Sequence, residues 1–157
     1  MKGNDQVIAA LNDSLKEELT AISQYFLHGE MCENWGYGRL HEQAQKRAIT
    51  EMKHAERLIE RILFLDGTPL LSELDKLTIG ANVKAQFEND LALEIGAVAS
   101  YNARIKLARE VGDNATCDLF EELLADEEEH VDTLETQLFQ IGEIGLDRYL
   151  SQQIRKD

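Results

Sequence analysis

The chain has 157 residues, of which 43% are hydrophobic and 29% are charged, so it can bury a core without disulfides and is not compositionally disordered. Its net charge is −14 and it has no Lys/Arg cluster, so it would repel nucleic-acid phosphates and is not expected to bind nucleic acid. The negative charge either attracts cations or only keeps the protein in solution. No apolar run reaches membrane length and no signal core follows Met1, so we expect a cytoplasmic protein without membrane contact.

Sparse Gly and Pro signals divide the chain into helices. One proline, Pro69, and a high content of Ala, Leu, Glu and Gln favour an all-α fold, expected to form a single domain over residues 1–157. The predicted helices cover residues 5–34, 39–65, 82–111 and 114–141, with a short tail helix near 145–153. Cys32 and Cys117 lie far apart without a CxxC pattern, so they are expected to be free thiols, and a rubredoxin-type iron site is excluded.

Each long helix carries an apolar stripe that one glutamate interrupts near its middle. The four residues are Glu18, Glu51, Glu94 and Glu127. Burying one ionised carboxylate costs several kcal/mol, and four buried together would also repel one another. The pattern therefore indicates either that metal cations neutralise these side chains or that their pKa values rise.

The spacing of the glutamates predicts that they lie at one level of a bundle. Glu51 follows Glu18 at the same separation in sequence at which Glu127 follows Glu94. The midpoints fall at predicted turns near positions 35–36 and 111–112, and positions equidistant from the turn of an antiparallel hairpin lie at equal height. Glu94 and Glu127 in the second half of the chain follow Glu18 and Glu51 in the first half at one constant offset. This internal repeat suggests a pseudo-twofold arrangement of the two hairpins.

Two of the glutamates belong to Glu-x-x-His motifs, Glu51 with His54 and Glu127 with His130. Residues three apart share a helix face, so each motif offers one oxygen and one nitrogen in the same direction. Carboxylate with imidazole suits iron or manganese, and the lack of thiolates argues against a structural zinc site. One glutamate from each of two helices with Glu-x-x-His from each of the other two is the arrangement of di-iron carboxylate bundles.

Several segments resemble the bacterioferritins, the haem-containing bacterial ferritins, over nearly the whole chain. They are residues 1–3, 24–28, 51–55, 60–65 and 145–150. The resemblance implies a ferritin-like antiparallel four-helix bundle with a short fifth C-terminal helix. It also implies a long crossover, residues 66–81, that makes helices 2 and 3 parallel.

The resemblance further implies an iron storage and detoxification protein that assembles as a 24-subunit homo-oligomeric shell. Each bundle would hold a di-iron ferroxidase centre that oxidises Fe(II) with O₂ or H₂O₂. Glu18 and Glu94 would be terminal ligands, Glu51 and Glu127 would bridge, and His54 and His130 would each bind one iron. A small ferredoxin for iron release is the implied partner, and the sequence leaves open whether a second type of bacterioferritin subunit shares the shell.

Two side chains near these ligands have competing interpretations. Met52 lies about 100° round the helix from Glu51, beside Ile49, Ile59 and Leu63, and by pattern alone is an interface methionine. The resemblance implies instead that Met52 from two subunits ligates one haem b. Tyr25 shares a face with Glu18 and is either a core tyrosine or a hydrogen-bonding or radical-quenching neighbour of the centre.

The remaining polar residues are given weaker roles. His28 and His41 are interpreted as surface or packing residues, and the acidic run 126–129 as a solvated face apart from Glu127. An iron route past Asn34, Asp66 and Asp132 is an open possibility. Lys46 and Thr50 occupy positions where some bacterioferritins carry a histidine and an aspartate, so the resemblance implies no extra iron site on the inner surface.

Two other classes of function compete with storage. One is a ferritin-like di-iron or di-manganese peroxidase or catalase without a storage role. A rubrerythrin would normally add a thiolate iron domain, which this sequence lacks. The other is a structural shell subunit, which would normally have lost metal ligands, whereas all six are present here.

Overall fold

The computed structural model describes residues 1–155, and within that range it contains five helices and no strand. In chain order they are α1 (Asp5–Asn34), α2 (Gly38–Phe64), α3 (Val83–Glu110), α4 (Asn114–Ile144) and α5 (Leu146–Ser151). The predicted all-α fold, with four long helices and a short fifth one, is confirmed. None of the described helices is long and apolar enough to cross a membrane.

The helix ends follow local backbone signals. Asn4 caps α1 by accepting hydrogen bonds from the backbone N–H groups of Gln6 and Val7. The largest error among the predicted ends of the long helices is in α4, which is predicted to end at residue 141 and reaches residue 144. Gly142 remains helical, and the chain leaves the helix only at Gly145, whose φ of 86° is a left-handed conformation that suits glycine.

The direction of the helices is shown by the side chains that join them. Short connections make α1 with α2, and α3 with α4, antiparallel hairpins. Between α1 and α3, Ser14 contacts Arg104 whereas Cys32 contacts Gln86, so the numbering rises on one helix as it falls on the other. Helices α2 and α3 are therefore parallel, and the predicted long crossover between them is confirmed.

A row of polar side chains on α1 fixes the crossover to the bundle. Its members stand four or eight positions apart, so they share one helix face, and each accepts a hydrogen bond from a backbone N–H of the crossover. They are Asn12, Thr20, Gln24 and His28, which accept from Leu70, Asp75, Thr78 and Gly80 respectively. Because Thr20, Gln24 and His28 are at most 2% exposed, these acceptor atoms meet the backbone of the crossover rather than water.

Apolar clusters fill the bundle on both sides of its middle. The larger cluster includes Leu15, Leu58 and Phe120, and a second one around Cys32 and Tyr149 includes α5. Cys32 and Cys117 are buried free thiols, as expected. The polar residues of the four stripes occupy the space between the clusters.

Candidate metal centre

Six side chains converge at the centre of the bundle. They form two overlapping groups whose ligand atoms lie within 4.8 Å of one another. The first group is Glu18, Glu51, His54 and Glu127, and the second is Glu51, Glu94, Glu127 and His130. The structure thus brings together all six residues that the stripes and the Glu-x-x-His motifs singled out.

Glu51 and Glu127 are the members common to both groups, and each turns one oxygen toward each histidine. Glu51 Oε2 lies 3.2 Å from His54 Nδ1, and Glu51 Oε1 lies 2.8 Å from His130 Nδ1. Glu127 Oε1 lies 3.2 Å from His54 Nδ1, and Glu127 Oε2 lies 3.1 Å from His130 Nδ1. Glu18 approaches only His54, at 3.5 Å, and Glu94 approaches only His130, at 3.4 Å. The geometry therefore distinguishes two shared carboxylates from two outer ones.

The cluster is buried and lacks enough hydrogen-bond donors for its oxygens. All six residues are at most 3% exposed. Within the described residues, Glu18 Oε2 and both oxygens of Glu51 accept no well-directed hydrogen bond. Buried oxygens without donors are destabilising unless they meet protons or cations, so this donor set fits two closely spaced divalent ions. Carboxylate oxygens with imidazole nitrogens are ligands that iron and manganese accept.

The electrostatics of the metal-free cluster lead to the same conclusion. Burial, with the nearby charge of Glu18, raises the pKa of Glu51 to about 8. Burial also raises the pKa of Glu18, and burial with the neighbouring Glu127 raises that of Glu94. Burial alone would lower the pKa of His54, but hydrogen bonds to surrounding carboxylates outweigh it and raise that pKa well above its ordinary value. Metal ions would replace these retained protons.

Two tyrosines from opposite halves hold the outer glutamates. Tyr25 donates its hydroxyl hydrogen to Glu94 Oε1, and Tyr101 donates to Glu18 Oε1, both at 2.6 Å. Burial first, and then the adjacent carboxylates, raise the pKa of both phenols, so they remain donors. Tyr101 falls on the apolar stripe of the third helix, so hydrophobic periodicity alone predicts an ordinary core residue there. The signal that could have identified it is its place in the internal repeat, because Tyr101 follows Tyr25 at the same offset at which Glu94 follows Glu18.

Asp126 contacts the centre, which corrects the interpretation of the run 126–129 as solvated apart from Glu127. Its Oδ2 lies 2.8 Å from His54 Nε2, although the Asp126 side chain is 48% exposed. A carboxylate on the far nitrogen of a metal-binding imidazole orients the ring. Sequence reasoning missed this residue because an acid on the outer side of a helix resembles an ordinary solvated group.

His28 is a packing residue, one of the two roles expected for it. Its Nδ1 lies 2.9 Å from Asp90 Oδ1, and its Nε2 accepts the N–H of Gly80 at 3.0 Å. Gln24 donates to the same Asp90 oxygen at 2.8 Å. His41 is only partly buried, with Nδ1 3.0 Å from the carbonyl oxygen of Gly29.

A cavity of about 230 Å³ reaches the centre between α1 and α3. All four stripe glutamates line it, together with Glu17 and with Asp75 and Lys76 of the crossover. Glu17 is held by Arg104, at 2.6 Å, and by the hydroxyl of Ser100, at 2.9 Å. The side of the centre beneath the crossover is therefore reachable by small ions.

The other predicted site residues lie away from the cluster. Met52 is 47% exposed on α2, next to the exposed side chains of Ile49 and Leu63. Lys46 is exposed and Thr50 is half-buried on the same helix. The three residues of the suggested iron route, Asn34, Asp66 and Asp132, are all exposed.

An antiparallel bundle with a long crossover and a level ring of carboxylates defines the ferritin-like class, and the ferritin-like domain family matches residues 8–144 of this chain. Comparison with individual proteins identifies the family within the ferritin-like class to which the chain is similar. The chain is 45% identical to a bacterioferritin of Mycolicibacterium paratuberculosis, over 97% of this chain and 96% of the relative. It is 47% identical to a bacterioferritin of Brucella melitensis biotype 1, over 95% and 92%, and 44% identical to one of Rhodobacter capsulatus, over 92% and 90%. The chain belongs to the bacterioferritin family, which confirms the resemblance drawn from its sequence.

Proposed function

We propose that the protein stores iron and that its central cluster oxidises Fe(II) as a ferroxidase. The observation that carries this proposal is the burial of four carboxylates and two imidazoles within ligand distance of one another. Such a cluster is stable with divalent cations and costly without them. The bacterioferritin names of the relatives support iron as the metal.

The six side chains would bind two Fe(II) ions as substrate. Glu18 with His54, and Glu94 with His130, would serve as the separate ligands of the two ions. Glu51 and Glu127 would bridge them, a role that their position between both histidines supports. Tyr25 and Tyr101 would hold the outer glutamates by their hydrogen bonds.

The reaction removes one electron from each Fe(II). With O₂ as acceptor, two electrons and two protons yield H₂O₂; with H₂O₂, two electrons and two protons yield two water molecules. The buried carboxylates would hold the two ions at fixed, adjacent positions and exclude bulk water. Both electrons could then reach the same acceptor molecule. The Fe(III) product would then mineralise in the cavity of a 24-subunit cytoplasmic shell.

Haem b would be held on the surface of α2 by Met52 from two subunits. The half-exposed thioether and its exposed apolar neighbours Ile49 and Leu63 fit such a group. When bound, haem supplies one-electron transfer, which here would serve the reduction of stored Fe(III) for release. A small ferredoxin would be the electron donor, and a second bacterioferritin subunit could share the shell.

The proposal is tested by anaerobic titration of the metal-free protein with Fe(II), followed by addition of O₂ or H₂O₂. Binding should saturate near two ions per chain, and oxidation should be fast. Glu127→Gln should lower the stoichiometry and slow oxidation at least tenfold, because one shared ligand is lost. Glu128→Gln, an exposed neighbour on the same helix, is the matched control and should behave like the wild type. Equal behaviour of the two variants would refute the proposal.

A further inference from the structure

The two halves of the centre match position by position. Counterparts are related by one constant offset in numbering: Glu18 and Glu94, Tyr25 and Tyr101, Glu51 and Glu127, and His54 and His130. The match extends to contacts, because each tyrosine donates to the outer glutamate of the other half at 2.6 Å. With these eight side chains alone, the two metal positions would be equivalent.

The match breaks at Asp126, whose counterpart at the same offset is Thr50. Asp126 lies 2.8 Å from His54 Nε2, the ring nitrogen that faces away from the cluster. Thr50 instead donates its hydroxyl hydrogen to the carbonyl oxygen of Lys46 in its own helix, at 3.1 Å. Within residues 1–155, every polar contact of His130 is made by Nδ1, so its far nitrogen has no carboxylate partner.

This difference acts on the metal through the imidazole. A carboxylate that accepts the far N–H fixes the tautomer and the ring orientation of a ligating histidine and makes it a stronger donor, and loss of such a partner typically weakens metal binding about 10–100-fold. Thr50, His130 and Asp126 line one groove of about 490 Å³, but the carboxylate of Asp126 is placed at His54 Nε2 and not at His130. The far side of His130 is therefore less constrained than that of His54.

We infer that the two positions of the centre fill in order, the Glu18–His54 position first and the Glu94–His130 position second. Asp126 is the positioning residue that sets this order. The inference rests on the proposed function, because it concerns how the same two ions are bound. It implies that the protein with one ion per chain is a defined species rather than a mixture of two.

The test is an anaerobic titration of the metal-free protein with Co(II), followed by its d–d absorption. The wild type should bind two ions in separate steps whose dissociation constants differ about tenfold or more. Asp126→Thr makes the two halves alike and should weaken the first step until the two merge. Thr50→Asp supplies the missing carboxylate and should tighten the second step. Glu129→Gln removes an acidic side chain from the same groove without touching His54 and should change neither step.

Variants that retain only one of the two metal positions show which position each binding step fills. In His130→Ala, the remaining ion should bind tightly and should be weakened by Asp126→Thr. In His54→Ala, the remaining ion should bind weakly and should not respond to Asp126→Thr. Two indistinguishable steps in the wild type, or equal losses in Asp126→Thr and Glu129→Gln, would overturn the inference and leave the ferroxidase proposal standing. Failure of the wild type to bind two Co(II) ions would overturn both.

Discussion

Raising the pH should destabilise the metal-free protein, because its buried cluster holds protons that the unfolded chain releases. Burial raises the folded-state pKa of Glu18, Glu51 and Glu94 above 4.5, the ordinary value for glutamate. The pKa of His54 is also raised, since its carboxylate partners outweigh burial. A group with a raised folded pKa contributes its full stabilisation below its unfolded pKa and loses it as the pH rises through the folded pKa. All four groups therefore act in the same direction.

The magnitude follows from Glu51, whose pKa rises from 4.5 to about 8. At about 1.4 kcal/mol for each pKa unit, roughly 5 kcal/mol of stability is lost between these two pH values. This energy belongs jointly to Glu51 and to Glu18, which faces it, because the two carboxyl groups titrate together. Folded domains have total stabilities of about 5–15 kcal/mol, so the midpoint of thermal unfolding should fall by about 10–20 °C.

The assay is thermal unfolding of chelator-treated protein from pH 5 to pH 8.5. Glu51→Gln should unfold with a much flatter pH dependence and should exceed the wild type in stability at the alkaline end, since its amide carries no proton to lose. Glu56→Gln, exposed on the same helix, is the control and should follow the wild type. Addition of Co(II) should reverse the trend, because metal binding displaces protons more easily as the pH rises.

An unfolding midpoint of the metal-free wild type that stayed constant or rose over this range would contradict the raised pKa values. Identical profiles of Glu51→Gln and Glu56→Gln would contradict them as well. Either result would mean that the carboxyl groups reach water in the metal-free state, or that they ionise at their ordinary pKa despite burial.

Three further substitutions and one control variant test other parts of the structure. His28→Ala should destabilise the protein by about 2–4 kcal/mol in chemical denaturation, because it leaves a buried crossover N–H and the Asp90 carboxylate short of partners; a loss below about 1 kcal/mol would contradict this. Met52→Leu should abolish the Soret absorbance of protein expressed with ample haem, and an unchanged haem content would exclude Met52 as the ligand. Gly80→Ala should destabilise by more than about 1 kcal/mol, because the added Cβ would overlap the backbone at the start of α3. Gly96→Ala, where a Cβ meets no atom within 4 Å, is its control and should instead stabilise by about 0.5–1 kcal/mol in the same measurement.

The ligand cluster could be predicted from the sequence because it violates the helical apolar pattern. A glutamate inside an apolar stripe is costly, and four such residues at equal spacing from two turns can meet only at one level. The structure brings Glu18, Glu51, Glu94 and Glu127 together as this argument requires. The helices themselves were predictable because Gly and Pro are sparse and the apolar period is sustained.

The contacts around the cluster could not be obtained in this way. Tyr101 fits the apolar stripe as well as any core residue does, so its hydrogen bond to Glu18 has no signal in hydrophobic periodicity. Asp126 stands among solvated acids and differs from them only in facing His54 across the bundle. Both contacts depend on how two helices rotate against each other, and a one-dimensional pattern does not contain that angle.

The path of the crossover was predictable only by resemblance. Residues 66–82 form no helix, so periodicity gives no account of them. Thr20 and Gln24 look like solvent-facing positions of an amphipathic helix, yet both are buried against this segment. A polar helix face that binds a neighbouring backbone cannot be distinguished from a solvated face by composition alone.

The position of the cluster halfway along its helices has a kinetic consequence. The four helices are 27 to 31 residues long, and apolar clusters close the bundle on either side of the metal ligands. Fraying of terminal turns therefore stops short of the centre, and the amides of residues 48–54 and 124–130 should exchange with deuterium only when the whole bundle opens. Ions would therefore enter and leave through the cavity between α1 and α3 while the scaffold stays intact.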